Sequence, residues 1–301
     1  LACILTAVIC IRKGVFPRRQ SRTLQLQKQK SILQKGLYLF LYNSCFYFIL
    51  ISIRTIISVN YTVEEFGYFT FSFTIANAVM LLLDSFNTIL FPKTIDLMSS
   101  DDNKKKADAL EKMRVGYILT SHMLVYLAMI CFPILVWFIP KYMPALSSMN
   151  MIALAVLMNT NSYGYSNMLI AQNKEHKAGF ISAVSLIVNI ILGLGLAKIL
   201  NVEYSYITIA ILVAYMISSF LMAYEGDTIL RREKSLSYTL KHFFPIRMFI
   251  PYMIALIISC TQIEYLIFIP LLVFIMLNYK DLQFLKNIAL KLIKEPEVID
   301  V

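Results

Sequence analysis

Glycine is scarce in this chain, nine in 301 residues, and none lies in a phosphate-cradling loop. Histidine is scarcer still. His122, His176 and His242 are far apart and show no metal-ligand spacing. The five cysteines (Cys3, Cys10, Cys45, Cys131 and Cys260) all lie in apolar sequence, none in a CxxC motif. They read as small packing residues rather than as a disulfide framework or metal site. No nucleophile–base pair stands out. The sequence therefore calls for no enzyme chemistry, no catalytic residue, no metal and no cofactor. Charge is also thin, at 15% Asp, Glu, Lys and Arg, against about 25% in soluble domains.

What is abundant is apolar sequence, 58% of the residues. It comes in runs of membrane-spanning length, which we delimit as 37–59, 67–91, 116–139, 149–171, 178–198, 204–224, 247–261 and 264–279. Runs this long exclude the short alternating strands of a β-barrel. The expected fold is an all-α, polytopic transmembrane helical bundle. The last two runs are short, but joining them would bury Thr261, Gln262 and Glu264 at mid-membrane, so they read as a two-helix hairpin.

The cations fix the expected orientation. Of 28 Lys and Arg, 25 lie in alternate loops (12–36, 92–115, 172–177, 225–247 and 280–301). The intervening loops carry only Lys141 and Lys198, and Arg54 lies inside a run. This is the positive-inside pattern, with every run crossing and the C-terminus cytoplasmic. The net charge of +10 is thus a topology signal facing anionic headgroups, not a nucleic-acid signal. Residues 1–11 are apolar and precede Arg12 and Lys13, whereas a secretory signal places its cations first. They read as the end of a truncated transmembrane helix, followed by a basic cytoplasmic loop at 12–36. Residues 225–246 form a second cytoplasmic loop, and 247–279 the additional hairpin. Two segments, 17–35 and 281–294, read as interfacial amphipathic helices. The second belongs to a cytoplasmic tail, 280–301, with Leu282, Leu285, Ala289 and Leu292 on one face.

Polar groups inside hydrocarbon are costly and mark protein interiors or wet cavities. Asn43, Tyr47, Arg54 and Ser58 share a helical face, as do Asn77, Asp84 and Thr88, with Asn87 beside them. The densest patch is 159–167, in which Asn159, Ser162, Tyr163 and Ser166 form a stripe. Ser182, Ser185, Asn189 and Gly193 align, as do Thr208, Tyr215 and Ser218 or Ser219. Two readings stand open: the stripes converge on one polar interior, or they are small-residue and amide contacts between helices. Arg54 binds an anionic group such as phosphate, or it snorkels to the nearer headgroups. Asp84 is a cation or proton site, or it is satisfied by neighbouring amides. His122 reads as a structural, hydrogen-bonded histidine. Pro133, Pro251 and Pro270 are kinks or hinges. The hairpin 247–279 is almost devoid of polar side chains and need not line a cavity.

The stretch Arg54-Thr-Ile-Ile-Ser-Val-Asn-Tyr-Thr-Val-Glu-Glu-Phe-Gly-Tyr-Phe-Thr-Phe resembles the hallmark turn of the polysaccharide flippases. Phe91-Pro92-Lys93 and Asn167-Met-Leu-Ile-Ala-Gln-Asn-Lys-Glu-His-Lys are similar to two inner-side turns of the same proteins. These are the O-antigen and capsule repeat-unit flippases of the multidrug/oligosaccharidyl-lipid/polysaccharide exporter superfamily. The resemblance covers roughly 31–245. One departure is Ile53, where family members often carry an Asp before the arginine. The resemblance implies the C-terminal six-helix lobe (37–224) of a two-lobe, MATE-like flippase, plus two extra helices. It implies residence in the bacterial cytoplasmic membrane and transfer of undecaprenyl-pyrophosphate-linked oligosaccharide between leaflets by alternating access. Coupling to H⁺ or Na⁺, and contact with polysaccharide polymerase machinery, also follow from it. The cavity residues expected on this reading are Asn43, Tyr47, Arg54, Asn77, Asn159, Ser162, Tyr163, Ser166 and Asn189, with Asp84 at the ion-coupling site. The alternatives are a cation-coupled multidrug antiporter of the same superfamily and a membrane-embedded glycan polymerase or ligase. The second of these would need a large outer loop.

Overall fold

The computed structural model describes residues 22–99, 103–231 and 236–294. The expected helix remnant at 1–11 and the first part of the basic segment lie outside them. Ten α-helices run through the described residues: α1 (Arg22–Asn60), α2 (Val63–Ser99), α3 (Asn103–Phe138), α4 (Leu146–Thr160), α5 (Tyr165–Ala171), α6 (Glu175–Leu194), α7 (Thr208–Arg231), α8 (Leu236–Phe243), α9 (Ile246–Thr261) and α10 (Ile269–Lys294). No strand occurs among the described residues. Six segments are long and apolar enough to cross a membrane: Lys28–Asn60, Val63–Ser85, Met113–Phe138, Pro140–Thr160, Glu175–Ile199 and Tyr204–Ile229. Among the described residues the regular structure is all helical, with the helix lengths and apolarity of a membrane protein.

The helices overrun the spans drawn from hydropathy. The segment expected to hold a separate interfacial helix at 17–35 is, from Arg22, continuous with α1. The basic loop expected at 92–115 is mostly helix, the ends of α2 and the start of α3. Hydropathy reads only the part of a helix that meets lipid, and backbone hydrogen bonding carries the helix on into water. The tail differs. α10 departs from helical geometry at Asn278, so its apolar first half and basic second half form two helical segments.

The turn between α1 and α2 shows why its sequence is as it is. The Thr62 amide and hydroxyl donate to Glu65 Oε2 at 2.9 and 2.7 Å, and the Glu65 amide donates back to Thr62 Oγ1 at 3.3 Å. This is a capping box, which satisfies two amides that begin a helix without partners. The Tyr68 hydroxyl donates to Glu64 at 2.6 Å. Both carboxylates sit at the positive end of the α2 dipole. Nearby, tyrosine hydroxyls staple the turns: Tyr61 donates to the Val202 carbonyl at 2.6 Å, Tyr204 to Pro144 at 2.5 Å and Tyr206 to Cys260 at 2.9 Å. Burial and then the Glu65 carboxylate push the Tyr61 phenol above its ordinary pKa, which keeps it a donor.

α4 is the hub. Only Ser147 and Asn159 of its residues are partly exposed. A helix apolar on every side belongs in the middle of a bundle, and α4 contacts α2, α3, α7 and α9. α1 packs along α6. There a Cβ added to Gly193 would stand 2.7 Å from Ile53 Cδ1, and one added to Gly179 would stand 3.0 Å from the Tyr38 carbonyl. Close approach through small residues is how helices associate in lipid, where apolar burial drives little. The hairpin α9–α10 packs on the outside of α4 and α3. Tyr252 anchors it by donating to the Leu154 carbonyl at 3.2 Å. His122 is fully buried, its Nδ1 3.1 Å from the Tyr126 hydroxyl and its ring stacked on Phe274.

Candidate functional site: a polar cleft at a broken helix

The sequence expects one continuous span at 149–171. The structure breaks it. α4 ends at Thr160, residues 161–164 form a turn, and α5 resumes at Tyr165. Gly164 has φ 82°, a left-handed conformation that costs an L-residue about 1–2 kcal/mol and glycine almost nothing. α4 is 15 residues long, so the break lies roughly 22 Å along the axis from its start, at the end of the membrane-length segment Pro140–Thr160.

Backbone freed inside hydrocarbon must find partners, and here each carbonyl from Met158 to Ser162 has one. Met158 O accepts from Ser219 Oγ at 3.1 Å. Asn159 O accepts from the Ser162 amide at 3.1 Å and its hydroxyl at 2.8 Å. Thr160 O accepts from the Tyr163 amide at 3.0 Å, and Ser162 O from the Tyr165 amide at 3.1 Å. Asn161 O accepts from Arg114 Nε at 3.3 Å. Arg114 is 9% exposed. Its remaining nitrogens donate to the last carbonyls of α8, His242 at 2.9 Å and Phe243 at 2.6 Å. A cation at a helix C-terminus is favourable electrostatically. The guanidinium also lies 5.0 Å from the centre of the Tyr165 ring. The Tyr165 hydroxyl donates to Asp227 at 3.1 Å, and Thr239 of α8 donates to the other Asp227 oxygen at 2.8 Å. Gly226 leaves the space: a Cβ there would stand 2.4 Å from Tyr165 Cδ1. One buried polar network therefore ties the break to α3, α7 and α8.

The break walls a cleft of about 530 Å³. α1 contributes Leu39, Tyr42 and Asn43; α2 contributes Asp84; α3 contributes Tyr117. The broken helix contributes Asn159, Thr160, Ser162, Tyr163, Ser166, Asn167 and Ile170. Tyr117 and Tyr163 stack with ring centres 4.0 Å apart. Asn167, 5% exposed, leaves its Nδ2 without a partner among the described residues. A second, enclosed void of about 10 Å³ lies behind the cleft and shares Tyr42, Asn159 and Ser162 with it. That is room for a single water, with Ser182 and Ser218 also at hand.

Of the residues named from sequence, Asn43, Asp84, Asn159, Ser162, Tyr163 and Ser166 meet in this cleft. The other four do not. Tyr47 is 56% exposed and packs edge-on against Phe46. Asn77 is partly exposed on α2 and lines neither space. Arg54 is partly exposed, with its guanidinium 5.5 Å from the centre of the Phe66 ring. It stands roughly 16 Å along α1 from Asn43, and it forms no ion pair with Asp84. Asn189 is fully buried and donates to the Ile49 carbonyl at 2.9 Å and to Ser52 at 2.8 Å. Its stripe faces α1 as helix-packing contact, not as cavity wall, and only Ser182 of that stripe reaches a void.

Sequence reading missed Tyr42 and Tyr117, because tyrosine near a span end reads as an interfacial anchor. It also missed Arg114, Asp227 and Thr239, which loop bookkeeping assigns to water. The available signal was local: Arg114 falls two residues before the apolar run at 116–139. The cleft offers amides, hydroxyls, phenols and one carboxylate, a set that hydrogen-bonds polyols. Among the described residues no cluster of His, Cys, Asp or Glu is disposed to hold a metal ion. No family model, curated protein or solved structure matches the chain.

Proposed function

We propose that this chain is the C-terminal lobe of a flippase that moves an undecaprenyl-pyrophosphate-linked oligosaccharide from the cytoplasmic to the outer leaflet of a bacterial inner membrane. The observation that carries the proposal is the polar cleft at the broken helix. A sugar and pyrophosphate cannot cross hydrocarbon unaided, because stripping their water is prohibitive. A cleft lined by Asn43, Asn159, Ser162, Asn167, Tyr117 and Tyr163 replaces that water with amides and hydroxyls, and tyrosine faces stack on sugar rings. Broken membrane helices are also where transporters place their substrate sites. The positive-inside pattern puts the basic ends of the helices, and the C-terminus, in the cytoplasm. In alternating access the lobe rocks against a partner lobe. Asp84 is the one carboxylate on the cleft wall and serves as the H⁺- or Na⁺-coupling group.

The test is to express the full-length gene with Asn159→Ala, Ser162→Ala or Asn167→Ala in a deletion strain, and to measure surface glycan together with inner-leaflet lipid-linked repeat units. Loss of glycan with accumulation of the lipid intermediate, at normal protein level, is expected. Full glycan export by all three variants sinks the proposal. A second reading, a cation-coupled multidrug antiporter, draws on Asp84 beside the stacked pair Tyr117–Tyr163, a surface that suits organic cations. It requires altered dye efflux with unchanged glycan.

A further inference from the structure

A further concavity lies between α6 and α7. Its volume is about 390 Å³. Its walls are the apolar Phe180, Ile181, Val184 and Leu221, with His176 at the same end as Lys177, and Phe180 is 69% exposed. At its mouth Lys177 and Glu225 form an ion pair, with Tyr224 beside it. Both helices belong to segments long and apolar enough to cross a membrane, and the exposed Phe180 gives the groove the apolar rim that an acyl chain requires. Lys177 is the third residue of α6, which puts the pair at headgroup depth. Val184 lies seven residues further, roughly 10 Å deeper along the helix.

We propose that this groove binds a phospholipid bearing a phosphoethanolamine headgroup. The groove takes an acyl chain. The phosphate accepts from the Lys177 ammonium, and the lipid ammonium donates to the Glu225 carboxylate. The sign of both charges drives the choice. A lipid with only an anionic head meets Glu225 as repulsion. A choline head presents a cation without N–H groups, so it gives Glu225 no hydrogen bond. The ethanolamine head carries both complementary charges and three N–H donors. The side chains of Lys177 and Glu225 are 36% and 23% exposed, and a partly exposed pair adds little stability of its own. Exchanging that pair for two contacts to one lipid therefore costs little. The inference requires only that α6 and α7 lie in a bilayer, and it stands apart from the function proposed for the cleft.

The experiment is native mass spectrometry of the full chain in detergent, titrated with phosphatidylethanolamine, its N-monomethyl and N,N-dimethyl forms, phosphatidylcholine and phosphatidylglycerol of matched chains. Retention is expected to fall stepwise as N–H groups are lost. Phosphatidylethanolamine should lead phosphatidylcholine by about threefold, the size a partly exposed charge contact supplies. Glu225→Gln abolishes the lead, whereas Arg247→Gln, at the separate Arg247–Asp281 pair, keeps it. Equal retention of the ethanolamine and choline lipids overturns the inference. So does a higher affinity for phosphatidylglycerol, or an ethanolamine preference that survives Glu225→Gln. The methylation series is run on the unmodified chain, so the outcome does not depend on any variant folding.

Discussion

Replacing Arg114 with methionine tests whether the buried network holds the broken helix in place. The guanidinium makes two short bonds, to the carbonyls of His242 at 2.9 Å and Phe243 at 2.6 Å, and a longer one to Asn161 at 3.3 Å. A hydrogen bond from a charged donor is worth about 1.5–3 kcal/mol, and an orphaned buried acceptor carries its own desolvation cost. The Tyr165 face adds about 0.5–1 kcal/mol as a cation–π contact. Polar contacts inside membrane proteins fall at the low end of such ranges, because the unfolded chain in lipid also finds partners. The expected loss for Arg114→Met is therefore about 2–4 kcal/mol, measured by SDS-induced equilibrium unfolding in mixed micelles. Arg114→Lys keeps the charge but not the planar fork, and reaches one carbonyl rather than three, so its loss is expected to be about half as large. Hydrogen exchange gives the local readout. In Arg114→Met, protection falls together at 161–166 and at 236–243, since one side chain joins the two. A loss under about 1 kcal/mol, or faster exchange in only one of the two segments, refutes the reasoning.

Gly164→Ala forces a Cβ into a left-handed backbone and should cost about 1–2 kcal/mol, checked in the same unfolding assay. No change there would mean that the turn relaxes freely. Thr62→Ala removes the capping box of α2 and is expected to cost about 1 kcal/mol. Thr62→Ser should restore most of it, and equal stability of the two variants counts against the cap. Asn189→Ala breaks two bonds to α1 and is expected to lower stability by about 0.5–2 kcal/mol while leaving cleft-dependent glycan export unchanged at matched protein level. With the five native cysteines replaced, Asn43→Cys and Ser162→Cys should react with a water-soluble maleimide and Asn189→Cys should not. Labelling of Asn189→Cys alone would place the water on the wrong side of α1.

Within the stretch 54–71 that carries the resemblance, Thr62 to Tyr68 is explained by local chemistry. Thr62 and Glu65 cap α2, and Glu64 holds Tyr68. A motif of this kind marks where a helix starts and says little about what crosses the membrane. The dense patch 159–167 was legible for a different reason. So many amides and hydroxyls in one apolar run cannot face lipid, and most of them line the cleft. Its break was carried by a turn-forming cluster, Asn159-Thr160-Asn161-Ser162 before Gly164, but inside a membrane-length apolar run such residues read equally as a polar stripe on a continuous helix. Asn189 and Asn159 look alike in sequence, each an amide within a membrane-length run. One packs against α1 and the other faces open space.

Sequence alone pointed to a helical chain with membrane-length apolar runs, because hydrophobic run length and cation placement are properties of the chain against its solvent. Neither depends on which helix touches which. Tertiary structure decided which polar stripes meet, since a helical face is neutral about its neighbour until packing assigns one. It also turned Arg114, Asp227 and Thr239 from loop residues into the clamp on a broken helix. Thr239 bonds Asp227 from twelve residues away, but Arg114, more than a hundred residues before both, reaches the carbonyls of α8 only after the bundle has closed.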